Sequence, residues 1–347
     1  MTRNVSVFLD LLRVLAALFV VVSHATWPKL SGGVLPYLPG HAAVIVFFVL
    51  SGYVVAYAAT QRENGPRDYV LNRLSRLWSV ALPALLLTAC LDKIGSTLKP
   101  ELYSAQSLGD PWVALASAAL FLGQIWFLDI TPLSNEPFWS LPYEFWFYAL
   151  FGAILHLRGR QRVWAAVGVA LVAGPKILVY LPIWWFGVWL YGKGRCPLPT
   201  ARARLLFGAC LASLPVLYLL GYRTRVDLPW LPTGFSIADF PIALCVGGLI
   251  WSFEACRLPL ARIERWVRPA AACTFTLYLC HLPILLVLTA AAPDTLPVAQ
   301  RVLLVLVLTL AACAVLARFT EQRKLAFRRG IEHVLGRFKR MAMPQSS

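Results

Sequence analysis

The sequence predicts an all-α, polytopic transmembrane bundle of about ten spans, and three observations carry that prediction. Hydrophobic residues make up 59% of the 347 positions and charged residues only 14%, against roughly 25% charged in soluble domains. Apolar runs close to 20 residues long recur from end to end, the length needed to cross a hydrocarbon core of ~30 Å. The basic residues behind the formal charge of +16 are dispersed through short loops between those runs. That dispersal orients a membrane protein by the positive-inside rule and argues against a nucleic-acid partner.

The runs fall at 7–27, 42–60, 77–94, 138–157, 163–175, 177–192, 204–222, 236–253, 270–291 and 298–317. They form a membrane domain over 1–320, followed by a basic tail over 321–347. The first run contains Asp10 and Arg13 and has no small-residue cleavage site after it, so it reads as a retained span and not a signal peptide. Two stretches are ambiguous. The segment 112–128 is apolar, and 163–192 is long for one crossing and short for two. Charge separates the options. If 112–128 does not cross and 163–192 crosses twice, one side collects Arg62/Arg67/Arg73/Arg76, Arg158/Arg160/Arg162, Lys193/Arg195/Arg202/Arg204, Arg257/Arg262/Arg265/Arg268 and the tail from Arg318 to Arg340. With Arg3 these hold 24 of the 32 basic residues. The opposite loops carry Asp92, Glu101, Asp110, Asp129, Glu136 and Asp294. Both termini are therefore expected in the cytoplasm, with 112–128 a re-entrant or interfacial segment. Trp27, Trp78, Trp139, Trp164 and Trp230 fall near predicted span ends, as an aromatic belt would. The eight cysteines show no CxxC spacing and read as small hydrophobes. No internal repeat is visible.

The chemistry-bearing residues stand out against this background. The first run reads "DLLRVLAALFVVVSHA". Arg13 and His24 are eleven residues apart, three helical turns, so they share a face about 16 Å apart along the axis. Asp10 lies three steps before Arg13, where the two can pair. Each intramembrane charge costs about 2.5–3.5 kcal/mol on insertion scales, so this polar face suggests a route or a site with two ends. The second run contains "VFFVLSGYVVAY", where Ser51 and Gly52 admit close approach of either a helix or a thin ligand. In "NRLSRLW", Arg73 and Arg76 are one helical turn apart and suit either a phosphorylated donor or lipid phosphate. "FWSLPYEFWFYALFG" holds the lone acid Glu144, at a depth similar to His24. A carboxylate beside that imidazole would make a general base, while a structural bond from Glu144 to a tyrosine is the plainer alternative. "TFTLYLCHLPI" places His281 midway down a span, before Pro283. No metal-ligand spacing appears among the histidines and carboxylates.

In this order, the stretches from "DLLRVLAALFVVVSH" to "RFTEQRKLAFRR" resemble the acyltransferase-3 family of integral membrane acyltransferases. The arginine, ten residues, then histidine of span 1 is the most specific element. "FFVLSGY", "RLSRL", "FWSLPYEFWFY" and "TLYLCHLP" match further signatures in the expected places. The resemblance implies a cytosolic acyl-coenzyme A donor, acetyl-coenzyme A foremost, and an acceptor hydroxyl on a carbohydrate or glycolipid, in a bacterial cytoplasmic membrane. It makes His24 the catalytic histidine, supported by Arg13, Asp10 and Glu144. Arg73 and Arg76 become coenzyme ligands, with the donor's thin arm passing Ser51 and Gly52. His281, Tyr53, Trp139, Ser140 and Tyr278, inside those same signatures, are candidates for substrate contact or structure. The chain departs from the family in having Phe145 where a second acid often follows Glu144, and Cys280 where an aromatic often precedes the span-9 histidine. It ends about 30 residues after its last span, so no extracytoplasmic C-terminal domain is expected. No metal is expected, and a homo-oligomer is one open assembly. The rival reading, a transporter or flippase, shares the buried ionisable residues but would call for repeat-related broken helices.

Overall fold

The computed structural model describes residues 1–103, 109–226, 228, 230–232, 234–260 and 262–342, with side chains to residue 335. The end of the predicted tail, 343–347, lies outside the described residues. Those that are described form helices and turns, with one isolated antiparallel bridge between Arg225 and Ser236.

The chain runs α1 (Arg3–Ala25), a short α2 (Pro28–Ser31), α3 (His41–Gln61), α4 (Pro66–Leu98), α5 (Pro111–Ala119), α6 (Ser140–His156), α7 (Gly159–Leu178), α8 (Leu181–Lys193), α9 (Thr200–Arg223), α10 (Asp239–Cys256), α11 (Glu264–Ala271), α12 (Thr274–Ala291), α13 (Val298–Ala317) and α14 (Lys324–Ala342). Each of the ten predicted runs coincides with a helix. Seven helices are long and apolar enough to cross a membrane by themselves, and α7 and α8 form a further bent pair at 106°. Helix α4 extends the prediction: it begins at Pro66, a proline in the first turn whose missing N–H costs nothing there. Arg73 and Arg76 therefore belong to the same continuous helix as the third span, not to a loop.

The helices differ in what surrounds them. In α12, 78% of the most apolar stretch is buried, against 11% in α9 and 22% in the stretch that includes α13. An apolar helix left so uncovered suits lipid, not water. Helix α12 is the central post, packed by α1, α4 and α13. Helices α3 and α8 approach so closely that a Cβ on Gly52 would stand 2.0 Å from the Trp184 carbonyl oxygen, and one on Gly187 2.1 Å from that of Val49. Gly52 is thus a packing glycine.

The segment 112–128 forms no helix long enough to cross a membrane. Helix α5 has nine residues, about 14 Å of rise, and the chain then turns irregularly back to α6. Irregular backbone at membrane depth is tolerated only where protein satisfies its polar groups, and here it does. The Trp78 and Trp146 indoles donate to the carbonyls of Ala119 and Phe121, both at 3.0 Å. Lys176 donates to the Leu128 carbonyl at 2.8 Å, and the Trp126 N–H to that of Ala173 at 3.0 Å. The last contact needs Gly174 (φ 79°), which breaks α7 and brings backbone against Trp126 where no Cβ fits.

Loops are fastened at both ends of the bundle. Pro283 leaves the Leu279 carbonyl in α12 without its helical donor, and Asn135 Nδ2 supplies one at 2.8 Å. Lys99 and Arg301 both reach Asp294, holding that carboxyl below the ordinary range through the Lys99 hydrogen bond first. At the opposite end Glu321 accepts from the N–H groups of Phe275 and Thr276 and so caps α12. Arg328 of α14 binds Asp68 and Asn72 of α4, both at 2.7 Å. Arg3 and Arg268 join the starts of α1 and α11. The starts of α1, α4 and α12, together with α14, therefore gather at one end.

Candidate active site

Two cavities lie along α1, one for each end of its polar face. The first is a narrow, partly open cavity of about 60 Å³, bordered by Arg13, Ser51, Arg76, Ser140, Glu144 and Tyr148, among apolar residues of α3 and α12. The second, about 300 Å³, is bordered by His24, Trp27, Tyr37, His41, Glu136, Trp139 and Arg225. The spacing of Arg13 and His24 thus has the meaning its geometry suggested: one helix face serves two compartments. They share Val44 and Tyr278 as a common wall.

Around His24 the hydrogen bonds fix which nitrogen is free. His281 is fully buried, and its Nδ1 lies 2.9 Å from the Leu277 carbonyl. A carbonyl only accepts, so that nitrogen carries the proton and His281 Nε2 carries a lone pair. His24 Nδ1 lies 2.9 Å from the Val20 carbonyl and 3.1 Å from His281 Nε2. Both neighbours accept, so the Nδ1 proton of His24 points at them and its Nε2 is left basic. The Trp27 ring meets the imidazole edge-on at 4.7 Å between centroids.

The side chain that meets His24 is thus His281, not Glu144. Glu144 Oε1 accepts from Ser51 at 2.6 Å and from the Tyr148 hydroxyl, in the other cavity. Trp184 Nε1 in turn donates to Ser51 Oγ at 3.2 Å. The pairing of Asp10 with Arg13 is also weaker than its spacing suggested, at 3.5 Å, because Asp10 is drawn to Arg268 at 2.5 Å. Asp10 borders neither cavity and ties α1 to α11.

The two arginines of α4 part company. Arg76 borders the first cavity beside Arg13, its guanidinium lies over the Phe275 ring at 6.0 Å from the centroid, and among the described residues its side chain has no hydrogen-bond partner. Glu321 and Lys324 stand within electrostatic reach of both Arg13 and Arg76. Arg73 is only 7% exposed. It binds Glu63 at 2.6 Å and lies over the rings of Tyr69 and Tyr148, away from the cavity lining. Of the remaining candidates, Gly52 packs against α8 as described, and Tyr53 meets Tyr191 outside both cavities. Trp139 borders the second cavity, stacked on His41 at 5.6 Å, and Ser140 Oγ lies 2.8 Å from the Tyr278 hydroxyl.

Sequence reasoning missed His41. Its Nε2 lies 2.9 Å from the Tyr180 hydroxyl and 3.1 Å from Asp239 Oδ2, and Asp239 also accepts from Tyr180 at 2.6 Å and from the Ser236 N–H at 3.0 Å. The available signal was a histidine and an acid each opening an apolar run, since both are costly there unless paired.

Among the described residues the fold is thus a helical bundle, with seven helices long and apolar enough to cross a membrane, that places His24 at one cavity and Arg13 and Arg76 at the next. The sequence profile of the acyltransferase-3 family, described as an acyltransferase domain, matches residues 6–318, and the chain belongs to that family. It is 29% identical over 222 residues to an O-acetyl transferase of Shigella phage Sf6, covering 58% of this chain and 61% of that protein. It is 28% identical over 171 residues to the acyltransferase MdmB of Streptomyces mycarofaciens, covering 44% of this chain and 42% of the relative. The aligned parts thus span less than two thirds of either relative. No solved structure matches. Family membership favours group transfer over the transport reading.

Proposed function

We propose that this acyltransferase takes an acetyl group from cytosolic acetyl-coenzyme A and places it on a hydroxyl of a carbohydrate or glycolipid. The Arg13–Arg76 cavity then faces the cytoplasm, as the arginine-rich loops on that side indicate, and the His24 cavity faces the opposite side of a bacterial cytoplasmic membrane. Arg13 and Arg76 meet the donor's anionic groups by charge-assisted hydrogen bonds, and the thioester end extends past Ser51 toward Tyr278. In the second cavity His24 Nε2 takes the proton of the acceptor hydroxyl as its oxygen attacks the thioester carbon. The C–S bond breaks, and the imidazolium returns the proton to the departing thiolate. The Val20 carbonyl and His281 together hold the reactive tautomer. One direct transfer needs no covalent enzyme intermediate.

The observation that carries this reading is the free Nε2 of His24 at the border of one cavity while Arg13 and Arg76 line the abutting one. General-base catalysis contributes about 10²–10⁴-fold, so His24→Ala in detergent-purified protein is expected to lose at least that lower factor. The assay is incorporation of labelled acetyl from acetyl-coenzyme A into surface glycan of a deletion strain. If the wild-type protein transferred no label to any fraction, including glycolipid, the donor assignment would be wrong.

A further inference from the structure

We infer that Tyr278 is the gate between the two cavities and determines whether the thioester meets the acceptor or water; this rests on the donor assignment just proposed. Among the described residues, Tyr278 and Val44 are the two side chains that border both cavities. His24 borders only the second, and Arg13 and Arg76 only the first, so the reacting groups stand on opposite sides of that wall. A donor held by its phosphates at the arginines reaches His24 only by passing Tyr278.

The geometry of the wall is that of a latch. Tyr278 is nearly buried on α12, and its hydroxyl lies 2.8 Å from Ser140 Oγ on α6. The hydrogen bond therefore ties two separate helices across the passage. Phe47 of α3 meets the tyrosine ring edge-on at 5.5 Å and holds it from the other side. Val44 is too short to close the opening by itself. Tyr278 also precedes His281 by three residues, one turn of the same helix, with 6.4 Å between their rings. A ring that swings to admit the donor thus moves directly beside the residue that orients the base.

The consequence is chemical selectivity. The second cavity carries a basic imidazole and many polar groups, a place where water is also a competent nucleophile. Water attacking the thioester carbon would give its proton to His24, break the C–S bond and release free acetic acid and coenzyme A thiol. With the Tyr278–Ser140 bond made, the thioester stays in the first cavity, whose walls are mainly apolar. The bond gives way only to an arriving donor arm, which limits the time the thioester is exposed.

Two variants remove the same bond from opposite sides, Tyr278→Phe and Ser140→Ala, and the double variant completes the cycle. The assay is thiol release from acetyl-coenzyme A by purified protein with no acceptor added, normalised to folded protein. One hydrogen bond corresponds to about a two- to tenfold change, so each single variant is expected to raise acceptor-free thiol release by that factor. The double variant should rise no further. Release unchanged from wild type in both singles, or increments that multiply in the double, would overturn the gate. Thermal stabilisation of the wild type by coenzyme A separates the underlying assumption: stabilisation with unchanged release rejects the gate alone, whereas no stabilisation rejects the donor assignment and the gate with it.

Discussion

The cavity around Arg13 and the cavity around His24 are built on the same helices and abut at one tyrosine, yet they treat their polar groups in opposite ways. In the first, the carboxylate of Glu144 is satisfied internally by Ser51 and Tyr148, while the Arg76 side chain has no hydrogen-bond partner among the described residues and only Glu144 and Glu321 within electrostatic reach as acids. In the second, both histidines at the wall are bound into networks, His24 to His281 and His41 to Tyr180 and Asp239. A cation without a hydrogen-bond partner inside a membrane protein is costly, and an anionic ligand offsets that cost. A wired imidazole has lost its rotational freedom and one of its tautomers. One compartment is arranged to bind charge and the other to fix a proton's position.

Substitutions can break that comparison, beginning with the largest effect. His24→Ala should lower kcat by about 10²–10⁴-fold with donor affinity nearly unchanged. A variant that kept more than about a tenth of the wild-type rate would show that the second cavity does not supply the base. Next come the two arginines, which the comparison separates. Arg73→Gln should destabilise the fold by about 3–5 kcal/mol, because it strands the buried Glu63 carboxylate; thermal melts would register it. Arg76→Gln should instead raise the KM for acetyl-coenzyme A about tenfold, the loss of one charge-assisted bond, with melting little altered. Donor titrations in which Arg73, not Arg76, controlled KM would reverse the assignment.

Gly52→Ala sharpens the boundary between lining and packing. Its new methyl would meet the Trp184 carbonyl, and overpacking of this kind costs about 1–3 kcal/mol. The expected readout is a lower melting temperature with donor KM intact in whatever folds, and a KM change without destabilisation would return Gly52 to the donor's path. His281→Asn is the mildest. It removes one of the two acceptors for the His24 Nδ1 proton, the Val20 carbonyl remaining, a bond worth about 0.5–1.5 kcal/mol. It should therefore reduce kcat a few-fold and displace its pH profile while leaving donor KM alone. An unmoved pH profile would reduce His281 to a packing residue.

The class of fold was legible in the amino-acid order alone, because it follows from local physics. Runs of about 20 apolar residues respond to the bilayer, not to distant parts of the chain. So the ten helical runs, the lack of a long helix over 112–128, and the placing of Arg13 and His24 at two cavities along one helix were all legible. Which side chains meet across helices was not. The α-helix fixes neighbours three and four residues away, whereas His24 finds His281 257 residues later and His41 finds Asp239 198 later. Local spacing even misled: Asp10 and Arg13 are ideally placed to pair, but Arg268 arrives from another helix at shorter range. Arg73 and Arg76 are one turn apart on the same helix, and only the folded neighbours, Glu63 and two tyrosine rings beside Arg73, hold that one away from the cavity which Arg76 borders. Pairing of buried polar groups is decided by what the folded neighbours offer, and only the tertiary structure holds that information.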